Sequence, residues 1–215
     1  RLHLAALIAV LALPSLLERR WVSISFALLL LAIAATATTL ANPTGIAIAN
    51  ASAHIEEAGQ ARYKLLQMNL RYDNPKPKDV LSLIAHHKPD VITLDEVSDY
   101  WRTELKYIEG AYPHRIICTG TSHVGGVAIL SRRPFLHPAR AECMAGGSLA
   151  VATIIFGGAA IDIGAIHLGW PWPYGQHRHV QRMDPLLKSR LGSSAILAGD
   201  LNAVWWSHTA RMIAS

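Results

Sequence analysis

The sequence predicts an α/β domain of stacked sheets flanked by helices, set behind two apolar helices. Three observations predict it. No Asp, Glu, Lys or Arg occurs from Trp21 to Ile55. From Arg62 onward, short apolar runs of strand length alternate with runs of helical period, parted by Gly and Pro turns. Several middle runs succeed one another closely, as antiparallel neighbours do.

The composition is uneven. Of 215 residues, 51% are hydrophobic and 16% charged, against about 25% charged in an ordinary soluble domain. Residues 1–55 carry only Arg1, Glu18, Arg19 and Arg20, so the remaining 31 of 35 charges fall in residues 56–215. This reads against a wholly soluble chain, a disordered chain and a polytopic transporter. The net charge is +5, with 17 Lys/Arg against 12 Asp/Glu from Arg62 onward. Such an excess suits a polyanionic substrate, an anionic membrane surface or an ordinary solvated surface. Two cysteines, Cys118 and Cys143, exclude a disulfide scaffold and a Cys-based zinc cluster.

Residues 1–41 read as a transmembrane hairpin. The run 21–41 has the roughly 20 apolar residues that a span takes. The run 2–17 is shorter and contains Pro14. A signal peptide with Arg19-Arg20 as its basic region is the rival reading, but an apolar segment already precedes those arginines. Arg19 and Arg20 occupy the loop between the runs, and short basic loops stay in the cytoplasm. A linker over 42–61 and a domain over 62–215 then lie outside. The expected location is a bacterial inner membrane with the domain periplasmic. Cys118 and Cys143 there would face an oxidising compartment, where they either bond or remain two buried thiols.

Within the domain, Tyr63–Leu70 predicts a strand, and Lys78–His87 a helix with 80, 81, 83 and 84 on its apolar face. Pro89 stops that helix, and Val91–Leu94 predicts a buried strand. Trp101–Glu109 reads as a helix. Arg115–Thr119, Val127–Ser131, Leu149–Phe156 and Ala160–His167 read as strands. His177–Arg190 reads as a helix, Ala195–Ala198 as a buried strand, and 208–214 as a helix capped by Ser207.

Polar residues cluster at strand ends. Asn69 follows LLQM, Glu96 follows VITLD, His167 follows IGAI, and Asp200 and Asn202 follow AILAG. Loops at strand ends carry the chemistry of α/β folds. Carboxylates, amides and an imidazole suit a hard cation with a group that activates water. Neither a phosphate loop, a GxSxG elbow nor HExxH occurs. Taken singly, a Glu or Asp after a strand is more often a helix cap or a surface charge, and a lone His is usually a structural residue.

Five segments in order, LLQMNLRYDN, PDVITLDEV, GGVAILSRRP, GAIHLGWP and AGDLNA, resemble the endonuclease/exonuclease/phosphatase superfamily, which includes DNase I-like enzymes. The resemblance runs from about Arg62 to the C-terminus. It implies a four-layer sandwich of two mixed sheets with outer helices, and cleavage of phosphate esters with Mg²⁺, or Mn²⁺ in its place. It implies that Asn69 and Glu96 serve the metal, that His167 contacts the scissile phosphate, and that Asp200 orients or deprotonates the attacking water with Asn202 as its partner. Asp95 stands where the family usually has Gln, and Leu201 where it often has Phe. The family's closing Asp-His pair does not follow AGDLNA. With Arg as first residue, this predicts a truncated chain, itself inactive; loss of catalysis is the alternative.

Trp170 and Trp172, in GWPWPYG, and Arg178 on the next helix are the expected substrate contacts, with Trp205 and Trp206 near in sequence. Arg178, His179 and Arg182 read either as phosphate contacts or as a solvated face, and the aromatics either as stacking platforms or as core. The expected function is a membrane-anchored, metal-dependent phosphoesterase acting on nucleic acid, phospholipid or a small phosphorylated molecule, with no obligate protein partner. A non-catalytic membrane-tethered binding protein is the alternative.

Overall fold

The computed structural model describes residues 22–41, 61–171, 175–204 and 207–214. The chain divides into two compact units, Arg1–Asn50 with Trp205–Ser215, and Ala51–Val204.

The first unit contributes helix α1 (Val22–Ala41) and a short C-terminal helix, His208–Ala214, which is the last of the chain. Ser207 caps that last helix as its sequence predicts, its Oγ accepting the Ala210 N–H at 3.0 Å. The structure does not show the two expected membrane-spanning helices. Residues 2–17 lie outside the described residues, as do linker residues 42–60. Among the described residues no helix is long and apolar enough to cross a membrane. α1 has 20 residues and no charged one, and it exposes Phe26, Leu29, Leu30, Leu31 and Ile33. Its Leu-rich stretch gives way to Ala and Thr, and the Thr36 hydroxyl turns back to the Ala32 carbonyl at 2.8 Å, so its second half is the less apolar one.

The second unit holds two four-stranded mixed sheets. The first contains β1 (Leu65–Asn69), β2 (Val91–Val97), β3 (His114–Ile117) and β4 (Gly126–Ser131), in the order β1-β2-β4-β3. The second contains β5 (Glu142–Met144), β6 (Leu149–Phe156), β7 (Ala159–His167) and β8 (Ala195–Asp200), in sequence order. β1 runs parallel to β2 and β7 parallel to β8; the other pairings are antiparallel. Helices α2 (Pro77–His87), α3 (Asp99–Glu104) and α4 (Gly175–Arg190) complete the unit. Of the expected helix Trp101–Glu109, the C-terminal part is a 3₁₀ turn, Leu105–Ile108.

Strand alternation sorts the core. Ile92, Leu94, Ala128 and Leu130 point to one face of the first sheet, where they join Ile84 of α2, Trp101 of α3 and Leu105. Val91, Val127 and Ile129 point to the other face and meet Ala150, Ala152, Ile154, Ile163 and Ala165 of the second sheet. The same period of two carries Gln67, Thr93 and Asp95 onto one side of the first sheet, where Thr93 and Asp95 are buried and Gln67 is exposed. α4 buries Gln176, Val180, Met183 and Leu187, a spacing of four, three and four that forms one helical face.

Cys118 and Cys143 form a disulfide with a Cα separation of 5.4 Å. It joins the end of β3 to β5, across the sheet edges opposite β1 and β8.

Candidate active site

The parallel pairs bring four strand ends to one place. Asn69 ends β1, His167 ends β7 and Asp200 ends β8. The ladders set Asn69 beside Asp95 and His167 beside Asp200. Glu96 arrives differently. Between the pairs Leu94–Ala128 and Val97–Gly126, β2 has two residues where β4 has one. This bulge puts Glu96 at φ 59°, the left-handed region, at a cost on the order of 1 kcal/mol. A bulge re-aims a side chain at a strand end, and here it turns the carboxylate to the loop after β1.

That loop is fastened to receive it. Trp101, fully buried, donates its Nε1–H to the Arg71 carbonyl at 2.9 Å. Ser98 donates its hydroxyl to the Tyr72 carbonyl at 2.8 Å. The Tyr72 N–H then points at Glu96 Oε2, 2.9 Å away. Asn69 holds the other oxygen: its Nδ2 donates to Glu96 Oε1 and to Asp200 Oδ2, each at 3.0 Å. Asn69 Oδ1 accepts the Arg71 N–H at 2.9 Å, and this fixes the amide so that its N–H groups face both carboxylates.

Asp200 is gripped on both oxygens, since Oδ1 accepts the Asn202 N–H at 2.8 Å. Asn202, at φ 45°, turns its Nδ2 to the Leu168 carbonyl at 2.7 Å and lies 3.4 Å from His167 Nε2. All five residues expected from the sequence, Asn69, Glu96, His167, Asp200 and Asn202, are therefore brought together, each half-buried.

Beneath them lies Asp95, fully buried. Its Oδ2 accepts the Asp200 N–H at 2.8 Å and the Gln67 Nε2–H at 2.9 Å. Its Oδ1 has no partner among the described residues. Burial pushes its pKa up to about 7, assisted by the charges of Asp200 and Glu96 and opposed by its two hydrogen bonds.

The site opens into a cavity of about 350 Å³ whose lining includes Tyr72, Glu96, Ser148, His167, Trp170 and His179. A larger cavity of about 460 Å³ lies at the opposite ends of the strands, near Leu65, Val91 and Ala195; among the described residues Lys64 is the one charged side chain in its lining. The convergent polar strand ends border the smaller cavity instead. Of the expected substrate contacts, Trp170 lines the smaller cavity and is 74% exposed. Trp172 lies outside the described residues, as do Trp205 and Trp206. Arg178 and Arg182 are exposed on α4 and do not line the cavity, whereas His179 does.

Sequence reasoning missed Gln176. It is 3% exposed, and its Nε2 donates to the carbonyls of Gly169 (2.9 Å), Leu201 (2.9 Å) and Asn202 (3.1 Å). It thereby ties together the loops after β7 and β8.

The donor set fits a hard cation. Among the described residues no three His, Cys, Asp or Glu side chains converge as a metal cluster. A Mg²⁺ site needs none, because one or two carboxylates completed by water and substrate phosphate suffice. Glu96 and Asp200 are two carboxylates joined through a single amide, that of Asn69.

The family model for the Endonuclease/Exonuclease/phosphatase family matches residues 66–215. The chain belongs to that family. No curated protein matches it. Solved structures that match this endonuclease/exonuclease/phosphatase domain include D. rerio TDP2 complexed with a single-strand DNA product, at 20% identity over 72% of this chain and 66% of that one, TM-score 0.57. Sphingomyelinase C from Streptomyces griseocarneus matches at 18% identity over 72% and 69%, TM-score 0.52. A mutant beta toxin from Staphylococcus aureus with bound magnesium ions matches at 16% identity over 71% and 69%, TM-score 0.53. At these identities the likeness is one of fold, two mixed sheets with helices. The chain spans less than two thirds of the length of the TDP2 chains it matches, 63% and 66%.

Proposed function

We propose that this chain is a divalent-metal-dependent phosphoesterase that cleaves a phosphate ester in the cavity between Glu96 and His167. The observation that carries the reading is the convergence of Asn69, Glu96, His167, Asp200 and Asn202 through hydrogen bonds of 2.8–3.4 Å, with Glu96 and His167 lining one cavity. Relatives in fold named for TDP2 with a DNA product and for sphingomyelinase C support an ester of phosphoric acid as substrate.

Glu96 would hold the cation, with Asn69 keeping the Glu96 and Asp200 carboxylates in place. A bound Mg²⁺ supplies charge to screen the phosphate and stabilise the leaving oxygen. Asp200, fixed by donors on both oxygens, is the carboxylate positioned to orient a water and take its proton. His167, at the end of β7, is the imidazole set toward the phosphoryl group, and Asn202 keeps it in register with Asp200. Trp170 at the cavity mouth is a surface on which the rest of the substrate rests.

The same reading sets the enzyme on the outer side of a bacterial inner membrane, held there by its apolar N-terminal region. Three features support this: the charge-free 20-residue helix, the Arg19-Arg20 pair before it, and the Cys118–Cys143 disulfide, a bond that persists in oxidising compartments.

The test is a substrate panel on the full natural polypeptide: a nucleic acid, sphingomyelin vesicles and bis(p-nitrophenyl) phosphate, each with Mg²⁺ and with EDTA. Turnover of at least one ester that EDTA abolishes and Mg²⁺ restores is expected. Hydrolysis indifferent to EDTA, or none of any ester, contradicts the proposal.

A further inference from the structure

His167 is not the only imidazole in the cavity. His179, one turn into α4, also lines it. Its Nδ1 accepts the Gly169 N–H at 3.2 Å. A ring nitrogen that accepts a backbone N–H carries no proton, so the neutral ring's proton sits on Nε2. Among the described residues no partner takes that Nε2–H. Gln176, three residues earlier on the same face of α4, donates to the Gly169 carbonyl at 2.9 Å. The N–H and C=O of Gly169 are therefore both held, and the ring of His179, a lining residue of the cavity, is fixed through Nδ1.

Resting on the proposed phosphoesterase reading, we infer that His179 is a second phosphate-contacting residue, whose Nε2–H donates to a non-bridging oxygen of a phosphoryl group bound in the cavity. Among the described residues the cavity lining includes no Lys or Arg, so phosphate recognition by them falls to neutral donors beside the cation. Arg178 and Arg182, on either side of His179 in sequence, are exposed and away from the lining. The His179 pKa is lowered, by burial first and then by the charges of Arg182 and His167. The ring therefore stays a neutral donor with its tautomer set by Gly169.

Two substitutions separate the donor from the clamp. In His179→Asn the short amide offers its oxygen to the Gly169 N–H but has nothing at the Nε2 position. In His179→Gln the amide nitrogen reaches the Nε2 position, and the Gly169 acceptor is lost. The readouts are the affinity for inorganic phosphate with Mg²⁺ present, measured by ³¹P line broadening, and thermal stability. Loss of a hydrogen bond to a charged group corresponds to about tenfold or more in affinity. His179→Asn is expected to weaken phosphate binding about tenfold at unchanged stability, and His179→Gln to stay within about threefold of the parent. Unchanged binding in His179→Asn overturns the inference, and so does equal weakening in both variants, which would assign the effect to the clamp. If the parent binds no phosphate at all, the inference falls together with the reading it rests on. If phosphate binding shows the expected pattern while no ester is hydrolysed, the inference stands and the phosphoesterase reading falls.

Discussion

Asp95 of the first sheet accepts the backbone N–H of Asp200 of the second at 2.8 Å, and this bond joins the two sheets directly under the candidate active site. Asp95 sits in a fully buried position, so the tie depends on its protonation. Its folded pKa, about 7, lies above the ordinary 3.8. The native state thus holds a proton that the unfolded state releases. The stability that this proton contributes is fully present below about pH 4 and is lost as pH rises through 7.

At about 1.4 kcal/mol per unit, the effect is on the order of 4 kcal/mol across that window in metal-free protein. Asp95→Asn keeps an acceptor for Asp200 and Gln67 and has no charge to bury. In EDTA, urea midpoints of the parent are expected to fall between pH 5 and pH 8, and those of Asp95→Asn to fall much less. Parallel pH profiles for the two proteins would contradict the assignment.

Gln176 supports the site without reaching it. Gln176→Leu leaves three carbonyls, those of Gly169, Leu201 and Asn202, without their donor. A cost of about 1–3 kcal/mol is expected, together with a fall in kcat larger than any change in KM, because Asn202 and His167 lose their mutual register. A stability equal to that of the parent is the contrary result.

The disulfide closes a loop with a sequence separation of 25, worth about 3 kcal/mol in the chain-entropy model. Reduction, or Cys118→Ala with Cys143→Ala, is expected to lower the thermal midpoint by several degrees. Labelling of both thiols in unreduced protein would show that the bond does not form.

α1 leads into the linker and the domain. A phosphatase-type reporter fused after residue 60 is expected to be active outside the cytoplasm, and alkaline washing to leave the full natural polypeptide in the membrane fraction. Activity of a cytoplasm-only reporter at that position refutes the orientation, and release by alkali refutes the anchor.

Much of the domain is legible in the sequence because its strands are apolar and long. Leu149–Phe156 is readable to the residue, and Asn69, His167 and Asp200 stand out because each ends such a run. β5 is not legible, since Glu142–Met144 has three residues and becomes a strand only by pairing with β6. Glu96 reads as following a strand, yet it lies inside one. Its bulge is a matter of cross-strand register, which no local pattern encodes. Asp95 looks like a tolerable exchange for Gln; its weight comes from a bond to a residue 105 positions away. Gln176 gives no signal beyond a position in the apolar stripe of α4, because its acceptors lie in two separate loops. His179 shares one ambiguous charged stretch with Arg178 and Arg182, and only the cavity separates them.

The central claim is that Glu96 is the carboxylate that holds the catalytic cation. Glu96→Gln keeps the shape and the Tyr72 and Asn69 contacts within reach but removes the charge. The measurement is Mg²⁺ dependence of phosphate-ester hydrolysis by the full natural polypeptide and its Glu96→Gln variant, titrated over Mg²⁺ concentration. The account predicts a loss in kcat/KM of at least about 100-fold and a clear weakening of apparent Mg²⁺ affinity. Near-parent turnover with an unchanged Mg²⁺ titration would contradict it.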